Sequence, residues 1–561
     1  MSAPADLVDA VPEPDRSLWL WSAIASLSAL LFCLLVVTPA FELDDDIRMA
    51  TIASGEEAGG LPDHHLIFTS SLIGGPLASL YLLAPDVPWY AAYLYSIQFV
   101  AWTCLLRVLL AGREFGPALA WFAILFLVVG VRLVANVQFT TTAWLLGLAG
   151  VVVGLSPLLT PQRIGGANWG GPVLLGCATL IRFDASVLIV CLAALPLLAL
   201  SSEGWGDRGR RVMGLGLGVV VAIVVWKVDI AWNYSTPEWL EFIRFHAAFS
   251  AIYDYQLLES IRNELELARR VGWSPNDLKL LGEWNYLDNT VYTTDRLVQF
   301  RTLIVTEGLP EAGSRWQRAM FWSPYLKQLV LPVVAANLLV LLLPLRGQVG
   351  RLWLLAAAAS VAIGSLLLFG LGRFPPHVAL PTALTPPLLV SLLANGGSAA
   401  GRIAPRQALL LIAVVAFGIW SLVPVVSRGR DLAFRRGEFQ KLVAALPDGE
   451  TAVLDVALAD RLCALPLSPF PRRLTERLFS WGWHIRTPTF VERANRAGVP
   501  LEHVTMVDRP VSFVMRPEIL GAIQLSLLEH HGMVTKVVYS GQFGQLPAYR
   551  LERVDIPDRA Q

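Results

Sequence analysis

Residues His65–Ala84 read HLIFTSSLIGGPLASLYLLA, and the topology of the whole chain turns on whether they cross a membrane. A transmembrane helix needs about 20 mainly apolar residues, so the stretch is long and apolar enough. It is also interrupted by Gly74-Gly75-Pro76 and carries Thr69, Ser70, Ser71 and Ser79. Arginines elsewhere arbitrate, because short cytoplasmic loops concentrate Lys and Arg. Take the N-terminus as inside, 65–84 as a juxtamembrane helix in the outer interface, and 171–200 as a hairpin turning at Arg182-Phe183-Asp184. The inner loops then hold Arg107/Arg113, Arg163, Arg208/Arg210/Arg211, Arg346/Arg351 and Arg402/Arg406. Every short basic loop falls on one side. Making either stretch alone a full crossing exports those arginines.

The composition agrees with that frame. Of 561 residues, 55% are hydrophobic and 16% charged, whereas soluble domains carry about 25% charged residues. Runs free of Asp, Glu, Lys and Arg cover 17–41, 87–106, 115–131, 133–162, 164–181, 185–202, 212–226, 328–345, 352–372, 374–401 and 407–427. They predict about 11 transmembrane helices. The first run is preceded by acidic residues (Asp6, Asp9, Glu13, Asp15) and is longer than a signal peptide's apolar core of about 7–15 residues, so it reads as a retained span. Balanced charge, 44 basic against 44 acidic residues, argues against a nucleic-acid partner. The same arithmetic excludes a soluble enzyme, a disulfide scaffold and a disordered chain. Four cysteines lie in spans and Cys463 stands alone, without metal or disulfide spacing.

The predicted fold class is a predominantly α, polytopic membrane protein with a C-terminal extracytoplasmic α/β domain. Residues 1–16 form a cytoplasmic N-terminus. Residues 17–427 form the transmembrane domain, with an outer loop at 41–88 and a large outer insert at 231–325. Residues 428–561 form the soluble domain. In that tail, Gln440–Leu446, a Pro-Asp-Gly turn and Thr451–Val456 read as helix, turn and strand. Ile519–His530 reads as a helix, and Val534–Tyr539 and Ala548–Val554 alternate like strands.

The strongest chemical signal follows the first span: Phe41-Glu42-Leu43-Asp44-Asp45-Asp46-Ile47-Arg48-Met49-Ala50. Four carboxylates within five residues repel one another unless they bind a cation, pair with arginine or share a proton. Acids also favour a helix's first turn, which accounts for part of the cluster. The arrangement resembles the membrane-integral GT-C glycosyltransferases, a group including the protein O-mannosyltransferases and the bacterial enzymes that put aminoarabinose on lipid A. Asp45-Asp46-Ile47-Arg48-Met49-Ala50 is similar to their acidic pair, x, Arg, aromatic, Ala pattern, with Met49 in place of the aromatic. Pro62–Pro85 sits where a second juxtamembrane helix is expected.

The resemblance implies transfer of a sugar from a polyprenyl-phosphate carrier to an acceptor outside the cytoplasm of a bacterial inner membrane, with anomeric inversion. The acceptor would be a cell-envelope glycan, a lipid or a protein. Such chemistry asks for a carboxylate base and for positive charge or a metal at the leaving phosphate. Asp45 is the first choice for the base, followed by Asp46 and Asp44. Asp46 is also the candidate ligand for a divalent cation, Mg or Mn. Arg373 and His377, in Gly-Arg-Phe-Pro-Pro-His, and Arg182 at the hairpin tip are candidates for phosphate. His64, His65, Asp254 and Trp284 complete the substrate-binding set. Each has a plainer reading: headgroup snorkelling for Arg373, an ion pair with Asp184 for Arg182, a structural pair for the histidines, an interfacial belt for the aromatics. A transporter or flippase, or a polysaccharide polymerase or ligase, is the alternative. Against the former, the spans lack a chain of ionisable groups and paired repeats.

Overall fold

A computed structural model describes residues 16–56, 61–155, 169–200, 205–255, 257, 264–308, 313–343, 347–394, 405–444, 451–455, 464–468, 478–543 and 546–555. The acidic N-terminal residues, Arg163, Arg346, Arg402 and Cys463 lie outside them. The chain begins with α1 (Arg16–Val36), a two-residue strand β1 (Ala40–Phe41), α2 (Asp44–Ser54) and α3 (Ser71–Leu83). Then come α4 (Trp89–Gly112), α5 (Phe115–Leu125), α6 (Val131–Ala135), β2 (Asn136–Val137), α7 (Phe139–Leu155), α8 (Gly170–Ile181), α9 (Phe183–Ile189), α10 (Leu195–Leu200) and α11 (Trp205–Asn233).

Among the described residues seven helices are long and apolar enough to cross a membrane, or eight if one bent pair counts as a span. The count of about 11 is therefore not reached by length and composition. The difference lies in Phe139–Leu155, Gly170–Ile181 and Phe183–Ala199, which are apolar but shorter than 18 residues. Residues 65–84 give only the 13-residue α3, whose length falls short of the roughly 20 residues of a span. Gly74 in α3 is needed for packing, since a Cβ there would stand 2.1 Å from the His64 carbonyl oxygen. The chain reverses between α8 and α9. Arg182 is extended (φ −155°, ψ 107°), and the Thr179 hydroxyl reaches Ser186 Oγ across the turn at 3.1 Å. α7 and α8 approach closely through glycines, for a Cβ on Gly171 would lie 2.7 Å from the Gly150 carbonyl oxygen. Small residues are the usual means of such close helix packing in membranes.

The insert forms α12 (Pro237–Tyr253), α13 (Glu264–Arg270), α14 (Pro275–Gly282), α15 (Thr294–Leu303) and α16 (Gly313–Lys327). Its helix starts follow local rules. Thr236 caps α12 ahead of Pro237, and Ser274 with Asp277 makes a capping box on α14. The membrane domain resumes with α17 (Val330–Val340), α18 (Gly347–Ser365), α19 (Pro376–Leu393) and α20 (Pro405–Ala444). Pro381, Pro386 and Pro387 lie inside α19. Pro386 frees the Thr382 carbonyl, which accepts a hydrogen bond from Ser360 Oγ of α18 at 2.5 Å. A neighbouring hydroxyl thus satisfies a group that lipid would leave bare.

α20 is one helix of 40 residues, so no break separates the last span from the tail. Beyond it lie β3 (Thr451–Leu454), β4 (Leu478–Ser480), α21 (Pro488–Arg496), α22 (His503–Met506), β5 (Val511–Val514), α23 (Pro517–His531), β6 (Thr535–Phe543) and β7 (Leu546–Arg553). The five strands form one sheet in the order β4-β3-β5-β7-β6. β3 pairs in parallel with β4 and β5, while β7 is antiparallel to β5 and β6. The tail is thus an α/β domain.

Insert and tail are not independent. Phe249, Trp273, Leu281 and Phe300 of the insert share one apolar core with Val453, Phe479, Trp481 and Phe513 of the tail. Polar links cross the same boundary. Arg486 donates to the carbonyl oxygens of Tyr286 and Tyr292, and Arg516 joins Glu283 to Asp455. His530 and His531 meet Asp277 and Asp288 at 2.7 and 2.6 Å. The two segments share one core.

Candidate functional site

α2 starts at Asp44 because three successive acids complement the unpaired N–H groups of a helix's first turn. It stops at Gly55, whose left-handed φ of 71° closes the C-terminus. Consecutive residues on a helix point about 100° apart, and the acids accordingly meet different surroundings. Glu42, just before α2, lies beside Arg428, which donates to the Phe41 and Glu42 carbonyl oxygens at 2.9 and 3.1 Å. Burial raises the Glu42 carboxyl, and the charges of Arg132 and Arg428 partly hold it down.

Asp46 has no solvent exposure. Its Oδ1 accepts from the Tyr90 hydroxyl and from the Phe139 N–H, both at 3.0 Å, so it caps the start of α7. Burial, opposed by the Tyr90 hydrogen bond, raises its carboxyl well above the ordinary range. Only Oδ2 remains without a partner. That donor set does not fit a divalent cation, which asks for several oxygen ligands at short range. The residue expected to hold a metal is committed to the fold.

Whereas Asp46 is buried, Asp45, like Glu42 and Asp44, stays partly exposed. Burial pushes it up to about 8; Asp44 adds to the rise, Arg182 opposes it, Asp254 raises it and Arg373 lowers it. Those partners come from three distant segments. Arg182 stands at the break between α8 and α9, where its Nη2 lies 3.1 Å from Asp184 Oδ2. Its guanidinium carbon is 5.4 Å from the ring centres of both Phe68 and Phe139. Arg373 follows Gly372, whose φ of 69° ends the preceding helix, and precedes Pro375-Pro376, which open α19. Its Nη2 is 3.0 Å from Asp254 Oδ2. Asp254 itself caps the end of α12; burial raises its carboxyl against the pull of Arg373 and Arg182.

Arg182, Arg373 and His377 line one cavity of about 400 Å³. Its other walls include Asp184, Tyr255 and Trp144, together with the apolar Leu188, Ile363, Leu367 and Val378. His377 Nδ1 is buried and without a partner. Trp284 packs its ring 4.5 Å from that of Tyr253, between centres. Its backbone has φ 58°, a left-handed strain rare for a bulky residue.

The structure brings Asp44, Asp45, Arg182, Asp254, Arg373 and His377 together. Of these, Arg182, Arg373 and His377 line the cavity, while Asp44, Asp45 and Asp254 do not line it and are linked to its arginines by charge. Trp284, His64 and His65 do not line it either. His65 Nδ1 lies 2.7 Å from Asp63 Oδ1, and its Nε2 lies 3.0 Å from the Asn233 carbonyl oxygen. The ring also stacks on Trp239, 4.3 Å between centres. Burial would raise Asp63, but the His65 hydrogen bond and charge bring it down to about 2. Asp63, His64 and His65 have atoms close enough to share a metal ion, as do Asp277, Glu529 and His530. In the first group both His65 nitrogens already face acceptors. In the second Asp277 is occupied by Ser274, Ser526 and His530. Neither group lies in the arginine-lined cavity.

Sequence reasoning did not assign Tyr90, Thr140, Trp144 or Asp184 to the site, nor a role to Arg48. An aromatic or hydroxyl in an apolar run carries no signal of which cavity it faces. Asn136 and Gln138 are held in the fold by hydrogen bonds. Asn136 accepts from Arg428 at 3.4 Å, and Gln138 Oε1 accepts from the Thr141 N–H at 2.7 Å.

No family model matches the chain, and no curated protein matches it in sequence. Among solved structures, it is similar to ArnT from Cupriavidus metallidurans bound to undecaprenyl phosphate, with 12% identity over 95% of this chain and 98% of that one and a TM-score of 0.39. The apo form of the same protein gives 13% identity, the same coverage and a TM-score of 0.40.

Proposed function

We propose that this chain is a GT-C-type membrane glycosyltransferase that moves a sugar from a polyprenyl-phosphate donor to an extracytoplasmic acceptor, with inversion. The observation that carries the reading is the pair Arg182 and Arg373 in one cavity whose walls also include Leu188, Ile363, Leu367 and Val378, with both arginines within electrostatic reach of Asp45. A phosphate on a long hydrocarbon tail matches a lining that combines cations with apolar walls.

Asp45 accepts the proton of the acceptor hydroxyl as its oxygen attacks the anomeric carbon. The bond from that carbon to the phosphate oxygen breaks, and the electron pair leaves with the polyprenyl phosphate. Arg182 and Arg373 stabilise the charge that develops there. Before the donor arrives, Asp184 and Asp254 hold the two guanidinium groups in place. No step is drawn through a metal, because Asp46 offers one free oxygen. The transporter reading is less well supported, because two cations in one cavity, coupled electrostatically to the Asp45 carboxylate, serve group transfer without an ion-coupling chain.

The test uses the full chain in nanodiscs with lipid-linked sugars extracted from bacterial membranes, and follows release of undecaprenyl phosphate by mass spectrometry. Asp45→Asn should abolish release while retaining undecaprenyl phosphate binding. Release at the unaltered rate would sink the base assignment.

A further inference from the structure

Arg48 lies three residues after Asp45 on α2, and the transfer chemistry makes no use of it. It has no solvent exposure. Its Nη1 donates to Ser480 Oγ at 2.7 Å and its Nη2 to the Trp481 carbonyl oxygen at 3.4 Å. Both acceptors belong to the tail, at and just beyond the end of β4. A guanidinium fully removed from water is tolerated only where hydrogen bonds replace its hydration. The next residue leaves little room, since a Cβ on Gly482 would stand 3.2 Å from Arg48 Nε.

Two more contacts tie the tail to the same loop. Trp483 sits in the membrane-domain core with its ring edge-on to Phe68, 5.1 Å between centres. Arg493 donates to the Leu61 carbonyl oxygen. The loop that carries Asp45 is thus gripped from the tail at residues 48, 61 and 68. α2 needs such a grip. It has 11 residues and no side-chain cap at its N-terminus, and isolated helices of that length are marginal. A carboxylate about 6 Å from the helix axis moves ~2 Å for a 20° rotation, enough to carry a base out of its working range of about 2.6–3.2 Å.

We propose that Arg48 is a positioning residue: by clamping α2 to Ser480 and Trp481, the C-terminal domain fixes the rotation of that helix and aims Asp45 at the reacting hydroxyl. The tail is then a working part of the site, although none of its described residues lines the arginine-lined cavity. The inference rests on Asp45 as the base.

Ser480→Ala and Ser480→Thr in the full chain test it, with the conservative threonine retaining the hydroxyl. Three readouts are compared in nanodiscs: undecaprenyl phosphate affinity, release of undecaprenyl phosphate from the membrane extract, and the pH midpoint for carbodiimide labelling of Asp45. Carbodiimide reacts with protonated carboxyls, so labelling falls as Asp45 ionises. Ser480→Ala loosens α2 towards solvent and lowers the midpoint by about one pH unit, because burial is what raises it. Release slows roughly tenfold, as expected for losing one hydrogen bond to a charged group. Undecaprenyl phosphate affinity stays within about twofold, since the arginines do not move. Ser480→Thr restores the midpoint and the rate.

A normal midpoint and rate in Ser480→Ala, with Asp45→Asn inactive, overturns the clamp alone. A fall in all three readouts together with a lower unfolding temperature also overturns it, since that marks a merely structural bond. Full release by Asp45→Asn overturns the base reading instead.

Discussion

Replacing Arg373 by alanine removes one of the two cations that the donor phosphate would meet. A hydrogen bond to a charged group is worth about 1.5–3 kcal/mol. Part of that is already committed, because Arg373 pairs with Asp254 at 3.0 Å when no donor is bound. Both partners are about a third exposed (35% and 28%), so that ion pair is worth at most about 1 kcal/mol. The net loss on binding is then about 1–2 kcal/mol, or roughly 5- to 30-fold in Kd. The variant also leaves Asp254 without its cation beside an incoming phosphate, which adds repulsion. Arg373→Ala/Asp254→Asn should therefore bind better than Arg373→Ala, a non-additivity that only a shared site produces. The assay is titration of the protein in nanodiscs with undecaprenyl phosphate. Affinity unchanged in Arg373→Ala, or strictly additive effects in the double variant, would refute the phosphate role. A second reading comes from the same protein. Arg373 lowers Asp45, so its removal moves the carbodiimide midpoint of Asp45 upward from about 8.

Donor release should rise with pH through a midpoint near 8, because a base must be deprotonated and burial holds Asp45 there; a pH–rate profile with its limb near 4 would contradict that environment. Gly74→Ala should lower the unfolding temperature, with about 1–3 kcal/mol lost as α3 is pushed off the His64 carbonyl. Gly75→Ala, where a Cβ meets nothing within 4 Å, is the neutral control in the same thermal scan. Arg428→Met should destabilise by about 3–5 kcal/mol, since it leaves Glu42 buried with one fewer cation and two backbone carbonyls unpaired; an unaltered unfolding transition would show that the knot holds nothing.

Much of the architecture was legible from the chain. The hairpin tip at Arg182 follows from local punctuation, and the strands read at 451–456, 534–539 and 548–554 fall at Thr451–Leu454, Thr535–Phe543 and Leu546–Arg553. The acidic run and the two basic breaks marked the residues that meet in space. The errors of emphasis have one origin. Asp44, Asp45 and Asp46 look alike in sequence, and nothing local says that Asp46 caps α7 while Asp45 faces the arginines. His64 and His65 looked available until Asp63, Asn233 and Trp239 closed around them. Insert and tail read as separate because their shared core joins segments about 200 residues apart.

The sequence by itself determined the membrane class, the break points of the helices and the inventory of charged groups. Those properties depend on hydrophobic run length and on backbone preferences that act over a few residues. The tertiary structure alone decided which of the acids is committed to the fold, which arginines share a cavity and why Arg48 is buried. Each of those depends on groups brought close by folding, because desolvation and Coulomb forces at short range are set by neighbours in space. The tail's grip on α2, across more than 430 residues of chain, is the clearest case.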